Sequence, residues 1–314
     1  MTIKPGDIRV AVLKGGRSAE RAVSLNSGQQ AAEALRAVGF DVLEIDTGDD
    51  EFINELSRSE ADVAFIALHG RFGEDGTVQG LCELLEMPYV GSGVLASALA
   101  MDKVMSKRFF SVAGLATPDY VVLQRHELFD IGALVDTLGD KVVVKPANEG
   151  SSVGMTIVHE PGELPAAIEK AFGFDSQVLV ERFVAGTEVT VTVLGNDDVT
   201  ALPTLEIVPE NEFYDYDSKY VPGMCRHIIP ARVSEAAREE CQRLSVAAHK
   251  ALGCRGLSRA DTIVAEDGSV WLLEVNTIPG MTSTSLVPDA ARAAGIEFPE
   301  LCRMLVEFAL QPRR

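Results

Sequence analysis

In its first seventy residues the chain switches repeatedly between short apolar runs and helical spacing, and no other feature narrows the fold so far. Arg9 to Leu13 (RVAVL) is a short apolar run; a Gly-rich turn follows, then an amphipathic stretch from Ser24 to Val38 with Leu25, Ala32, Leu35 and Val38 at helical spacing. Asp41 to Ile45 is a second strand candidate, Glu51 to Arg58 a short helix and Val63 to Leu68 (VAFIAL) a third strand. A βαβαβ order with apolar strands bounded by glycine predicts a parallel sheet covered by helices on both faces. Ligands on such sheets bind at the carboxyl ends of the strands. Two polar loops fall there, Lys14 to Glu20 (KGGRSAE) and His69 to Gly76 (HGRFGEDG).

The 314 residues give room for two domains of ordinary size or three small ones. With 46% hydrophobic and 24% charged residues, disorder is excluded as the main state. The formal charge of −19 excludes the basic footprint that nucleic acid or an anionic membrane surface demands. Any bound phosphate must therefore be held by local cations and backbone N–H groups. The 5 cysteines are scattered without a C-x-x-C pair, which argues against a disulfide framework or a zinc site and fits a reducing cytosol. The N-terminus runs straight into a strand, so no signal peptide is expected. The stretch Val90 to Met101 falls short of the ~20 apolar residues of a membrane span, so a cytoplasmic protein is expected.

A second region opens near Met101 with a charged helix, Asp102 to Ala113, and a Thr117-Pro118 turn. Strands are expected at Tyr120 to Leu123, Val142 to Pro146, Met155 to Val158 and Val178 to Phe183, with a helix from Gly162 to Phe172. A third region starts near Val184, and alternation from Glu188 to Leu194 predicts a half-buried strand. A tyrosine-rich loop (Phe213 to Tyr220) and a helix from Ser234 to Leu252 follow. Asp261 to Ala265 and Val270 to Val275 read as a hairpin turning at Asp267-Gly268.

The hairpin carries the most informative constellation. Residues two apart on a strand share a face, so Glu274 and Asn276 point together and Asp261 joins them from the partner strand. Two carboxylates and an amide oxygen suit Mg²⁺; ordinary solvated strand residues are the alternative. A metal is favoured because Glu274 lies in the apolar run Val270 to Val275, where a charge is costly to bury alone. Arg259 shares the face of Asp261 and could neutralise developing negative charge. Glu149 to Gly154 (EGSSVG), just after Lys145, could be an anion-binding nest or merely a flexible hairpin turn. Glu20 suits a ligand ammonium or a helix cap, and His69 by itself reads as a satisfied core histidine. The tyrosine-rich loop could close over a site or tuck its aromatics into the core. Ser285, before an expected helix at Val287 to Ala294, either caps that helix or binds a carboxylate with the adjacent N–H groups.

In order along the chain, Gly15 to Ser24, Ala67 to Gly70, Gly73 to Gly80, Tyr89 to Gly93, Met101 to Lys107, Val144 to Gly154, Phe213 to Tyr220 and Leu273 to Thr282 resemble the D-alanine–D-alanine ligase family of the ATP-grasp superfamily. The likeness runs from Val10 to Leu305. It implies an α/β ATP-grasp fold. That fold has an N-terminal Rossmann-like parallel-sheet domain (1–100), a small central α+β lid (101–183) and a C-terminal α+β domain (184–314). It also implies that ATP phosphorylates the carboxylate of one D-alanine and that the amine of a second attacks the acyl phosphate, giving D-alanyl-D-alanine for peptidoglycan.

By the same resemblance Lys103, Lys145 and Ser152 belong to the nucleotide-phosphate set and Lys219 to a γ-phosphate contact. Glu181 and Glu188 are adenosine ligands. Asp261, Glu274 and Asn276 hold Mg²⁺ (or Mn²⁺), with two ions implied. Arg259 and the backbone of Gly280 stabilise the tetrahedral intermediate. Glu20, in a hydrogen-bonded set with Ser151 and Tyr220, orients the first D-alanine together with His69. Ser285 and Leu286 form the second D-alanine's carboxylate site. A homodimer without nucleic-acid or membrane partners is implied as well. Two positions depart from relatives, Arg182 and Ser258, the latter leaving the backbone beside Arg259 open. Tyr220 favours the dipeptide over a D-lactate product.

Overall fold

The computed structural model describes residues 4–150, 152–209, 225–283 and 285–312. Strand β1 (Arg9–Lys14) lies between β2 (Asp41–Asp46) and β3 (Val63–Ile66), all parallel. Both faces are covered, as the apolar runs require. Val10 and Val12 pack with Leu35 of α1 (Arg21–Ala37) on one face. Ala11 and Leu13 pack on the other with Leu56 of α2 (Phe52–Arg58) and Val78 of α3 (Thr77–Leu84). Two further helices, α4 (Val94–Met101) and α5 (Lys103–Val112), lead away, and Asp102 caps α5 by accepting from the Met105 N–H at 2.9 Å.

The second sheet is antiparallel, in the order β4 (Tyr120–Gln124), β7 (Gln177–Arg182), β5 (Val142–Pro146), β6 (Thr156–Val158). Helices α6 (Ile131–Leu138) and α7 (Leu164–Phe172) cover one face. Among the described residues, the core they enclose draws on residues 121–180 alone. Its apolar link to the rest is a small cluster of Val104, Ala147 and Leu179, with Tyr120 and Val122 packed against it.

The third sheet is also antiparallel, running β11 (Cys225–Ile228), β10 (Leu205–Pro209), β8 (Gly186–Gly195), β12 (Gly256–Ala265), β13 (Val270–Asn276), with β9 (Thr200–Ala201) on β8. Helix α8 (Glu235–Leu252) lies across one face, where Cys241, Leu244 and Ala248 meet Val189, Val191, Ala260, Leu272 and Val275. The chain ends in α9 (Leu286–Ala293) and α10 (Phe298–Ala309), and α10 returns to pack on α1 and β3, its Leu301, Leu305 and Val306 joining the core of the first sheet. No helix among the described residues is long and apolar enough to cross a membrane.

Two expectations change. The β8 strand is buried continuously from Val189 to Gly195 instead of on alternate residues, because it is central in its sheet. The β12–β13 ladder is also not regular. Asp261 pairs with Glu274 but Thr262 pairs with Leu272, so Leu273 is an extra residue, a β-bulge. A ladder without the bulge would set Glu274 opposite Ala260, facing α8. With it, Leu272 and Val275 reach the helix side, while Leu273 and Glu274 both line the open side.

Candidate active site

The open face of the third sheet meets the second sheet across a cleft lined by residues of both. Parity puts Glu188 and Thr190 of β8, Arg259 and Asp261 of β12, and Glu274 and Asn276 of β13 on this face. Asp261 faces Glu274 across one strand pair and Thr190 across the other. Its carboxylate accepts from Thr190 Oγ1 at 2.6 Å and from Arg259 Nε and Nη2 at 3.0 and 2.8 Å. Glu274 keeps a third of its side chain exposed and lies 3.8 Å from Lys103 Nζ. The burial cost read from its apolar run is therefore not what holds it here; the bulge turns it out to the cleft. Asn276 sits opposite Arg259, and its Oδ1 closes a turn by accepting from the Ile278 N–H at 2.9 Å. Among the described residues no three His, Cys, Asp or Glu side chains gather as a metal site. The hard-oxygen set here is two carboxylates and an amide, the donor chemistry Mg²⁺ prefers.

The opposite wall carries the cations. Lys103 opens α5 and donates from Nζ to the Glu149 carbonyl at 2.6 Å, fixing the loop between β5 and β6 over the cleft. That loop is a hairpin connection and a lining of the cleft at once, through Glu149, Gly150, Ser152 and Val153. Ser152 adopts the left-handed region with φ 59. Lys145, on β5, pairs with Glu181 Oε2 at 2.7 Å, and Lys107 pairs with Oε1. Burial opposes charge on Lys145, but Glu181 and Glu274 outweigh it and hold its pKa above the ordinary lysine value. Burial likewise opposes charge on Glu181, and the two lysines outweigh it to hold the carboxyl below its usual range. Lys107 is pushed down by burial in spite of Glu181. Glu181 thus reaches the cleft as a buried carboxylate already engaged by two cations. Glu188 also lines the cleft.

A second cluster forms where the two loops of the parallel sheet meet, joined by a Ser18 Oγ donation to the His69 carbonyl at 2.7 Å. Glu20 occupies the cap position of α1 but its side chain makes no capping bond, so the capping alternative falls away. Its Oε2 instead approaches Gly70 and Gly150; a Cβ at these glycines would stand 2.6 and 3.5 Å from it. Thus Gly150 brings the cleft loop against the first cluster. His69 is buried between Ser27 Oγ (3.2 Å from Nε2) and Glu74 Oε1 (3.5 Å from Nδ1), as a satisfied core histidine would be, yet it borders Glu20's carboxylate through Glu74. Burial pushes the Glu74 carboxyl up against the opposing pull of His69, and Glu20 adds to the rise.

Ser285 sits at the cap position of α9 without capping it. Its Oγ accepts from the Thr282 N–H at 3.2 Å and bonds Thr282 Oγ1 at 2.7 Å. Gly280 abuts that hydroxyl, where a Cβ would stand 3.0 Å away. The Leu286 side chain is buried with Leu205 and Ile207, so only its backbone can face a ligand. Ser151, Lys219, Tyr220 and the loop from Phe213 to Tyr220 lie outside the described residues. The two departures are absorbed. Ser258 is a regular strand residue whose Oγ bonds His249 Nδ1 at 2.7 Å, and Arg182 pairs with Asp119 at 3.0 Å. Sequence reasoning gave no role to Glu74, Lys107 and Thr190. Spacing could have suggested Lys107, one helical turn after Lys103; Thr190 and Glu74 gain meaning only from contacts across the fold.

Residues 109–307 match the family described as D-ala D-ala ligase C-terminus, and residues 46–92 the one described as D-ala D-ala ligase N-terminus. The D-alanine–D-alanine ligase of Pelotomaculum thermopropionicum is 48% identical over 310 residues, 97% of each chain. The chain belongs to the D-alanine–D-alanine ligase family. A D-alanine–D-alanine ligase from Bacillus anthracis, solved complexed with ATP, superposes with a TM-score of 0.85 at 34% identity, covering 97% of this chain and 98% of that one. The VanG D-Ala:D-Ser ligase of Enterococcus faecalis superposes at 0.82 and 33% identity, covering 96% and 99%. The ATP-grasp fold class expected from the motifs is thereby established for this member of the D-alanine–D-alanine ligase family.

Proposed function

We propose that this protein joins two D-alanine molecules into D-alanyl-D-alanine, with ATP giving ADP and phosphate, as a step of peptidoglycan precursor synthesis in the cytoplasm. The observation that supports it most is the cleft itself. In a chain of net charge −19, two lysines on one wall face two carboxylates directly opposed on the other. Lys103 and Lys145 would neutralise nucleotide phosphates, with Ser152 and Gly150 bringing backbone close to them. Lys219 would add a contact from the closing loop. Glu181 and Glu188 would take the adenosine end. Asp261 and Glu274, with Asn276, would hold Mg²⁺, which supplies charge neutralisation between phosphate oxygens when bound. Manganese would serve in the same way, and two ions are proposed.

A carboxylate resists attack until one oxygen becomes a good leaving group, so the reading includes an acyl phosphate on the first D-alanine. Glu20, with Ser151, Tyr220 and His69, would orient that molecule's ammonium. Arg259, on the open sheet face, would stabilise the tetrahedral oxyanion together with the Gly280 backbone. The second D-alanine's carboxylate would sit at the α9 N-terminus near Ser285 and the Leu286 backbone, where free N–H groups favour an anion. We read three units, 1–100, 101–183 and 184–314, with one sheet falling in each. A homodimer is supported by apolar side chains left in water on α3, α4 and α5, namely Leu84, Leu95 and Val112 at 85%, 70% and 90% exposure.

Phosphate release from ATP and Mg²⁺ is the deciding assay, with products separated by chromatography. Release should require D-alanine and yield the dipeptide; D-lactate should not compete, and D-serine should yield little mixed product. Equal release without D-alanine would overturn the reading, and preference for D-serine would move the protein to the substrate named for the VanG relative.

A further inference from the structure

Lys107 takes no part in the steps above, yet it is fully buried beside the cleft. Its Nζ donates to Thr117 Oγ1 at 2.6 Å, pairs with Glu181 Oε1 and lies 5.5 Å from the centre of the Tyr120 ring. Lys145 holds the other oxygen of the same carboxylate. The two cations differ in access. Lys145 lines the cleft with a tenth of its side chain exposed, whereas Lys107 has none exposed and stands behind Glu181.

Of these two cations, an anion entering the cleft can therefore recruit only Lys145. Glu181 is itself 3% exposed at its side chain, and a buried carboxylate stripped of every cation is strongly disfavoured. Without Lys107, Glu181 would keep Lys145 for itself. With Lys107 in place, Lys145 can leave and the carboxylate still has a partner. We propose that Lys107 is a positioning residue for nucleotide binding: by holding Glu181 from behind, it lets Lys145 move from that carboxylate to the nucleotide's phosphates. This rests on the reading of the cleft as the ATP site. The field around the group agrees with it, since both lysines also feel Glu274 and Lys145 lowers the pKa of Lys107. Two cations thus compete for one carboxylate, and the loss of one strengthens the other's hold.

The test is binding calorimetry of the whole protein with a non-hydrolysable ATP analogue plus Mg²⁺, and separately with adenosine. Lys107→Met should weaken the analogue by about tenfold or more, the scale of one charge-assisted hydrogen bond, and leave adenosine within about twofold. Lys107→Arg should restore most of the loss. The double variant K107M/E181Q, with no carboxylate to retain Lys145, should bind inorganic triphosphate within about threefold of the wild type. Equal weakening of analogue and adenosine, or no change in either, overturns the proposal, as does a double variant no better than K107M. If K107M does not fold, Thr117→Val decides. It should weaken the analogue by about two- to fourfold with adenosine unchanged, and an unchanged analogue affinity then overturns the proposal. Lys145→Met separates the two levels. If it leaves ATP binding intact, the cleft reading itself fails; if it weakens ATP while K107M does not, only the role of Lys107 falls.

Discussion

In the parallel sheet, Val10 to Leu13 and Val63 to Ile66 are buried on both faces, and every polar group that matters stands in a loop beyond the strand ends. In the β8–β12–β13 ladder only one face is closed by α8, and Asp261, Glu274 and Arg259 sit within the strands themselves. The contrast follows from what covers each sheet. Helices on both sides leave a strand no position for a charge, whereas one open side leaves every second position for chemistry. The loop site is held by contacts between its loops, while the strand site is held by the ladder.

Inserting a charge tests this most severely. V12D and L13D should both prevent folding, and A260D, which faces α8, should do the same, each costing more than about 4 kcal/mol. I263D, on the open face, should keep the fold and change urea stability by no more than about 1 kcal/mol. A folded V12D would break the comparison. Next in size is Glu274→Gln, which should lower kcat by about a thousandfold with an unchanged melting curve; chelation of divalent ions should produce a similar loss.

The covered face also titrates. His249 is 1% exposed, Nδ1 bonds Ser258 Oγ, and Nε2 has no hydrogen-bond partner among the described residues. Burial, with Lys250 adding to it, lowers its pKa to about 4. The unfolded chain therefore takes up this proton first as pH falls. Stability should drop between pH 6.5 and about 4 by at most about 3 kcal/mol, a loss that His249→Gln should largely remove in urea titrations at pH 7 and pH 5. The smallest effect concerns the rim of the same sheet. His227 on β11 pairs with Asp289 on α9 at 2.6 Å, and Asp289, with help from Cys225, raises its pKa to about 9. Its contribution is complete below pH 6.5 and fades as pH rises through about 9. Asp289→Asn should flatten that alkaline loss, on the order of 1 kcal/mol.

The parallel sheet was legible because apolar runs bounded by glycine leave few other solutions. The hairpin was legible because Asp267-Gly268 fixes its turn and a spacing of two fixes its faces. Helix α4 was not, since it is apolar all round, packed between α5, α8 and β13, and carries no stripe. Helix α10 carries a plain amphipathic stripe in the sequence, with Leu301, Cys302, Leu305 and Val306 at helical spacing. Of the site, strand parity assigned Asp261 and Glu274 to one face, although the reason given for Glu274 was its burial and the structure gives the bulge. The Lys107–Glu181 pair joins residues from different elements across the fold, and no local pattern announces such a contact.

Among the described residues, the core under the four-stranded sheet is assembled from its own segment, and its apolar tie to the remainder is the small cluster of Val104, Ala147 and Leu179 with Tyr120 and Val122, beside the polar ties of Lys103 to Glu149 and Lys107 to Glu181. A body so lightly fastened can tilt as a unit without opening either oily interior. If the cleft is the nucleotide site proposed above, its width depends on that apolar joint, and a methylene removed there, as in Leu179→Val, would alter how the jaws meet long before it loosened either of them.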